Sequence, residues 1–149
     1  MEQAFLSLEA EQEGVLFPSL FTEGQVPIPI NGLIWMGDKH YMQQQIREKL
    51  SQGFRCIKMK IGAIDFETEY ALLKGIRQQF TSSEIELRVD ANGAFSPEEA
   101  LEKLKRLSEL QLHSIEQPIR AGQFEQMEHL CQASPLPIAL DEELIGVAC

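Results

Sequence analysis

Four charged residues stand at matching points of a repeated pattern. Lys60 closes the segment CIKMK, Asp90 closes IELRVD, Glu116 closes LHSIE and Asp141 closes PIALD. These segments are rich in aliphatic residues, and polar residues recur at every second position, the period of a strand. Side chains two apart share a face. Lys58 therefore lies beside Lys60 and opposite Ile57, Met59 and Ile61, while Glu86 and Arg88 lie beside Asp90 and opposite Leu87 and Val89. Ser114 and Glu116 oppose Ile115, and Ala139 and Asp141 oppose Ile138 and Leu140. One basic and three acidic strand ends, in that order, have a coherent chemistry. Three carboxylates offer oxygen ligands to a hard divalent cation, and magnesium suits them because it keeps positions for water or substrate. Such an ion is a Lewis acid, and a carboxylate substrate held by it gains an acidic α-proton because the charge of the resulting enediolate is neutralised. A lysine can take that proton where a second cation stands beside it, and the K-x-K spacing gives Lys60 this neighbour in Lys58.

Each residue alone has a plainer role. A lone K-x-K pair is a solvated strand face in most sequences. Asp90 ahead of Ala-Asn-Gly can cap a turn, and Asp141 ahead of Glu-Glu-Leu can open a helix. The conjunction in strand order is what points to a site.

To bring these residues together, the chain must make the strands neighbours. Helical and strand patterns alternate in the way that requires. A helix end is expected over residues 4–11, then a loop, and a short strand within VPIPINGLIWMG. Asp38 can cap a helix carrying Met42, Ile46 and Leu50 and ending near Gly53. Phe66, Tyr70, Leu73, Ile76 and Phe80 form a second helical stripe. Ser96-Pro97-Glu98-Glu99 combines an N-cap, a first-turn proline and a capping-box glutamate ahead of Leu101, Leu104 and Leu107 or Leu110. A last helix runs through Phe124, Met127 and Leu130, before LPIALDE. Strands separated by helices predict an α/β fold with parallel strands and crossover helices. Two architectures compete, an open doubly wound sheet and a (β/α) barrel. Parallel sheets are buried on both faces, so charges on an inner face are costly unless they are paired or hold a metal. A barrel resolves this, because its C-terminal strand ends open into a mouth. The glycine-rich phosphate turn of a nucleotide-binding sheet is absent.

The composition narrows the partners. The 149 residues suffice for an ordinary domain, 44% hydrophobic and 24% charged. A net charge of −10 argues against nucleic acid and against a polyanionic membrane surface. No apolar run approaches a membrane span, and no basic segment precedes an apolar one at the start. Cys56, Cys131 and Cys149 lack metal-type spacing and read as free thiols of a reducing cytoplasm. His40, His113 and His129 form no cluster.

The motifs KMK, VDANG, IEQP and LDE, at these separations, resemble the enolase superfamily of the muconate-lactonizing type. FTEGQVPI and PINGLIWMG most resemble its o-succinylbenzoate synthase group of menaquinone biosynthesis. The resemblance implies a partial (β/α) barrel of about five strands, preceded by the tail of an α+β capping domain. Residues 1–26 would be that tail and 27–149 the N-terminal portion of the barrel. A lysine base with a Mg²⁺-stabilised enediolate is the superfamily's general pattern. By resemblance Lys60 is the acid/base lysine and Lys58 its supporting partner. Asp90, Glu116 and Asp141 are the Mg²⁺ ligands, and Asn92 a group on the substrate side or behind the ligands. The implied reaction is syn dehydration of a cyclohexadiene carboxylate. An N-acylamino acid racemase or dipeptide epimerase on the same scaffold is the alternative, and a non-catalytic remnant the third reading. Family members run to about twice this length, and the lysine expected on a sixth strand has no counterpart here. The chain is therefore expected to be a piece of the enzyme, inactive alone and prone to self-association through its open barrel edges.

Overall fold

Among the described residues, the strand and helix patterns fold as five parallel strands joined by crossover helices. The computed structural model describes residues 2–10, 15 and 17–146. The chain divides into two compact units, residues 1–30 and 31–149. The first holds helix α1 (Glu2–Glu9), ending earlier than the expected 4–11, although residue 11 lies outside the described residues. It also holds a turn in which Ser19 N donates to Thr22 Oγ1 at 2.8 Å. Cys149 lies outside the described residues as well.

In the second unit, strand β1 (Gly32–Ile34) is followed by α2 (Lys39–Ser51), β2 (Cys56–Lys60), α3 (Phe66–Gln79) and β3 (Glu86–Asp90). Then come α4 (Pro97–Ser108), β4 (Ser114–Glu116), α5 (Phe124–Ala133) and β5 (Ile138–Ala139). All pairs are parallel and the spatial order is β1-β2-β3-β4-β5. A doubly wound sheet reverses its order at a switch point. Here each strand is added beside the last, the progression of a barrel wall.

Local chemistry sets the helix starts. Asp38 accepts from Tyr41 N at 2.9 Å and Asp65 from Thr68 N at 3.0 Å, each satisfying a first-turn N–H that lacks a helical partner. Ser96 N donates to the Glu99 carboxylate at 3.3 Å, and Pro97 occupies the first turn, where its missing N–H costs nothing. The leucine stripe of α4 buries Leu104 and Leu107, with Leu110 buried just beyond the helix and Leu101 only partly covered.

The apolar faces of the strands meet these helices. Ile57, Met59, Leu87 and Ile115 are fully buried against a layer that includes Met42, Leu73, Leu104 and Leu130. Burying each such side chain contributes about 1.5–3 kcal/mol. The opposite faces of β2 and β4, carrying Lys58, Lys60 and Glu116, are only half-buried. Strand β5 is shorter than LPIALDE suggested and stops at Ala139, so Asp141 lies beyond the ladder, ahead of a 3-10 turn over Glu142–Leu144.

Two glycines set how closely the mouth loops pack. Gly62 has φ +97° just after β2, and a Cβ there would collide with Ala94 Cβ of the loop after β3. Gly93 has φ +72°, and its Cβ would stand 2.9 Å from Arg120 Cα.

Candidate active site

The ladder itself assembles the centre of the site. Lys60 pairs in register with Asp90, and Asp90 with Glu116, so three consecutive strands end in one row of charged residues. Asp90 is 1% exposed, which makes an unpaired carboxylate there costly. Lys60 Nζ meets its Oδ2 at 2.9 Å and also donates to Asn92 Oδ1 at 2.7 Å. Asn92 in turn donates its backbone N–H to Asp90 Oδ1 at 3.0 Å from a left-handed conformation, φ 44°. Lys58 starts one pleat lower and reaches up between the acids. Its Nζ lies 2.8 and 2.7 Å from the two oxygens of Glu116 and 3.3 Å from Asp90 Oδ2.

These pairings decide the charge states. Burial opposes ionisation of Asp90, but the Lys60 hydrogen bond, the Asn92 N–H and the charges of Lys58 and Lys60 together hold its carboxyl below the usual aspartate range. Burial likewise disfavours the Lys58 ammonium, yet Glu116 and Asp90 raise it above the ordinary lysine value. Lys58 is therefore a fixed positive charge at neutral pH, aimed at the mouth.

The structure brings Lys58, Lys60, Asp90, Asn92 and Glu116 together and does not bring Asp141 to them. Among the described residues, no three His, Cys, Asp or Glu side chains converge closely enough to share an ion. The physical reason is local. The β5 ladder ends two residues earlier, and Asp141 has φ −129° and ψ −80°, so the strand alternation that predicted its direction has stopped. A side chain governs this segment instead: buried Gln117 accepts from Asp141 N at 3.1 Å and Glu143 N at 3.2 Å, and donates to Ile119 O at 3.0 Å and Glu143 Oε2 at 3.2 Å.

Further participants were not singled out by sequence pattern. Glu142 Oε1 accepts from Asn92 Nδ2 at 2.9 Å, tying the turn after β5 to the turn after β3. Buried Glu69 of α3 accepts from Gly62 N at 2.9 Å with both oxygens and from Ala63 N at 3.3 Å, fixing the turn that follows Lys60. Burial is the larger influence on Glu69 and raises its carboxyl above the usual range against these N–H groups. Trp35 follows β1 in the position that continues the register to Lys60, and its ring centroid is 5.7 Å from Lys60 Nζ. Trp35 and Glu142 fall inside the motifs PINGLIWMG and LDE, whereas Glu69 carries no sequence signal beyond its place in the first turn of α3.

The donor types, though not their present convergence, suit a hard divalent cation. Asp90, Glu116 and the acidic turn that begins at Asp141 put carboxylates at three successive strand ends, which is magnesium chemistry. A second observation agrees: Glu142 Oε2 is buried and has no hydrogen-bond partner. A buried carboxylate oxygen is left unmatched at a cost unless a cation or water meets it.

Comparison with known proteins shows what the chain is similar to. The family model described as enolase C-terminal domain-like matches residues 41–148. An o-succinylbenzoate synthase from Desulfotalea psychrophila is 57% identical over 147 residues, covering 99% of this chain and 40% of its own length. The crystal structure of MenC from the same organism superposes with a TM-score of 0.78 at 57% identity, over 90% of this chain and 37% of that one. An o-succinylbenzoate synthase from Thermosynechococcus elongatus, solved with Mg in its active site, gives a TM-score of 0.67 at 28% identity, over 78% of this chain and 37% of that one. The chain thus spans well under half the length of the relatives it matches.

Proposed function

The chain belongs to the enolase C-terminal domain-like family, and from that premise we propose that it carries the proton-transfer and metal-binding residues of a Mg²⁺-dependent o-succinylbenzoate synthase. The reaction is syn dehydration of a cyclohexadiene carboxylate to o-succinylbenzoate through an enediolate, as in menaquinone biosynthesis. The observation that carries this reading is the register row of Lys60, Asp90 and Glu116 with the Lys58 ammonium held beneath it. The extent of identity to the Desulfotalea enzyme supports dehydration over racemisation or epimerisation on the same scaffold.

Asp90, Glu116 and Asp141 would hold the ion, which supplies Lewis-acid stabilisation of the substrate carboxylate. Asp141 would reach it by a shift of the turn held by Gln117. Lys60, as the free amine, removes the proton from the carbon next to the carboxylate, and the C–H electron pair moves toward the carboxylate oxygens. The Lys58 ammonium offsets that developing charge from a fixed position, an electrostatic contribution available without reorganisation. Lys60, now an ammonium, donates its proton to the departing β-hydroxyl as the C–O bond breaks. Water leaves, the lysine returns to the amine and the ring becomes aromatic. Asn92 holds the Lys60 ammonium through Oδ1, the arrangement seen in the structure.

The test is dehydration by the whole protein that contains these residues. Lys60→Ala is expected to lower kcat by about 10⁴-fold, the upper range for general acid–base catalysis. Lys58→Ala should leave measurable turnover, because it removes only electrostatic help. Equal turnover by wild type and Lys60→Ala would end the case for Lys60 as base.

A further inference from the structure

We propose that Trp35 contacts the substrate, its indole forming the apolar wall on which the unsaturated ring packs while the α-carbon faces Lys60. The inference rests on the reading of the site given above and adds a residue that sets preference for an unsaturated ring.

Three observations converge on it. The β1–β2 register runs Leu33 to Lys58 and Ile34 to Met59, so the next step sets Trp35 beside Lys60 on the inner face. Trp35 is 55% exposed, although tryptophan is among the largest residues to leave in water. Its backbone, by contrast, is tied down. Gln45 of α2, only 9% exposed, accepts from Trp35 N at 2.9 Å and donates to Trp35 O at 3.1 Å. A buried amide thus fixes both backbone polar groups of a residue whose ring lies beside Lys60. A role limited to shielding Lys60 does not require that: at 5.7 Å the ring is at the outer range of a cation–π contact.

The space around the lysine gives the ring its task. A carbon that loses its proton to Nζ must come within about 3–3.5 Å. Asp90 and Asn92 already take two of the three N–H directions of the ammonium. The indole lies 5.7 Å from the same nitrogen, close enough to border what approaches it. A cyclic diene entering there presents a π face to stack, which an acyclic dipeptide backbone does not.

Trp35 is the single tryptophan of the sequence, so emission can report on this site. The experiment uses the whole protein containing these residues, with Trp35 kept as its sole tryptophan and magnesium present. The product o-succinylbenzoate is titrated while emission and, separately, heat of binding are recorded. A saturable emission change with the same dissociation constant as the calorimetric one is expected. Affinity should fall about three- to tenfold in Trp35→Ala and stay within about threefold in Trp35→Phe, which keeps an aromatic face. Calorimetric binding with unchanged emission, or equal affinity of wild type and Trp35→Ala, overturns the role of Trp35 and leaves the proposed function standing. Absence of binding by both measurements overturns both. Should Trp35→Ala fail to fold, the emission titration and Trp35→Phe still decide.

Discussion

Strand β4 and strand β5 carry the same kind of message, an apolar residue followed by an acid on the other face, and they deliver it differently. Strand β4 has a partner on each side. Its Glu116 stands in register with Asp90 and its side chain closes on Lys58. Strand β5 has one partner among the described residues, ends after two residues, and leaves Asp141 in a turn shaped by Gln117. A pleat directs a side chain only as far as the ladder extends. Past it, side-chain hydrogen bonds take over. The inner strands thus hold a finished arrangement of charges, and the edge holds a conditional one.

The largest expected effect breaks the inner strand itself. Ile115 is fully buried, so Ile115→Ala should cost about 2–5 kcal/mol, the transfer term plus the cavity left behind. Ile138, at the register-paired position on β5, is only partly buried, and Ile138→Ala should cost about 1 kcal/mol. Urea midpoints on the whole protein check the pair. Equal losses would mean that β5 is as firmly embedded as β4.

Next comes the charge that joins the inner strands. Lys58→Ala leaves Glu116 without its recorded ammonium and removes one of two from Asp90, and should cost about 1.5–3 kcal/mol. Added magnesium should recover part of that loss if the same carboxylates bind the ion. Thermal midpoints with and without the metal measure both effects. No recovery would separate metal binding from these acids.

The edge has its own lock. Gln117→Leu removes the acceptor for Asp141 N and Glu143 N, and should cost about 1–3 kcal/mol. Its sharper signature is local: hydrogen exchange at those two amides should accelerate while the amides of β2 and β3 keep their protection. Uniform acceleration across the sheet would show that Gln117 supports the whole fold and not the turn.

These differences explain what could be read in advance. Lys58, Lys60, Asp90 and Glu116 obey a two-residue period inside ladders, so their common face was legible from spacing alone. Asp38 and the Ser96–Glu99 pair were legible because capping is local in sequence. Trp35, Gln117, Glu142 and Glu69 were not, because each acts through a partner set by tertiary packing: Lys60, the turn after β5, Asn92 and the turn after β2 respectively. Asp141 was legible as a residue type and not as a position, since its strand ends too soon to aim it.

The smallest expected effect, and the one with the most informative sign, compares two buried carboxylates that the fold treats in opposite ways. Asp90 is matched by ammonium groups and titrates below an ordinary aspartate. Glu69 is hydrogen-bonded by the backbone N–H groups of Gly62, Ala63 and Ile64, with the Lys103 charge a smaller help, and burial lifts it above an ordinary glutamate. Linkage then gives each a direction. The stability contributed by Asp90 is complete above the unfolded value, near 3.9, and is lost as pH falls through its lower folded value. Glu69 does the reverse: the folded chain holds its proton more readily, so stability rises as pH falls from the folded value toward the unfolded one, near 4.3. Urea midpoints of wild type, Asp90→Asn and Glu69→Gln between pH 7 and about pH 3 separate the two. The advantage of wild type over Asp90→Asn should shrink on acidification, while its standing relative to Glu69→Gln should improve. If wild type lost ground against both variants, the three N–H groups around Glu69 would outweigh its burial, and the turn after Lys60 would be held by a carboxylate as firmly ionised as Asp90.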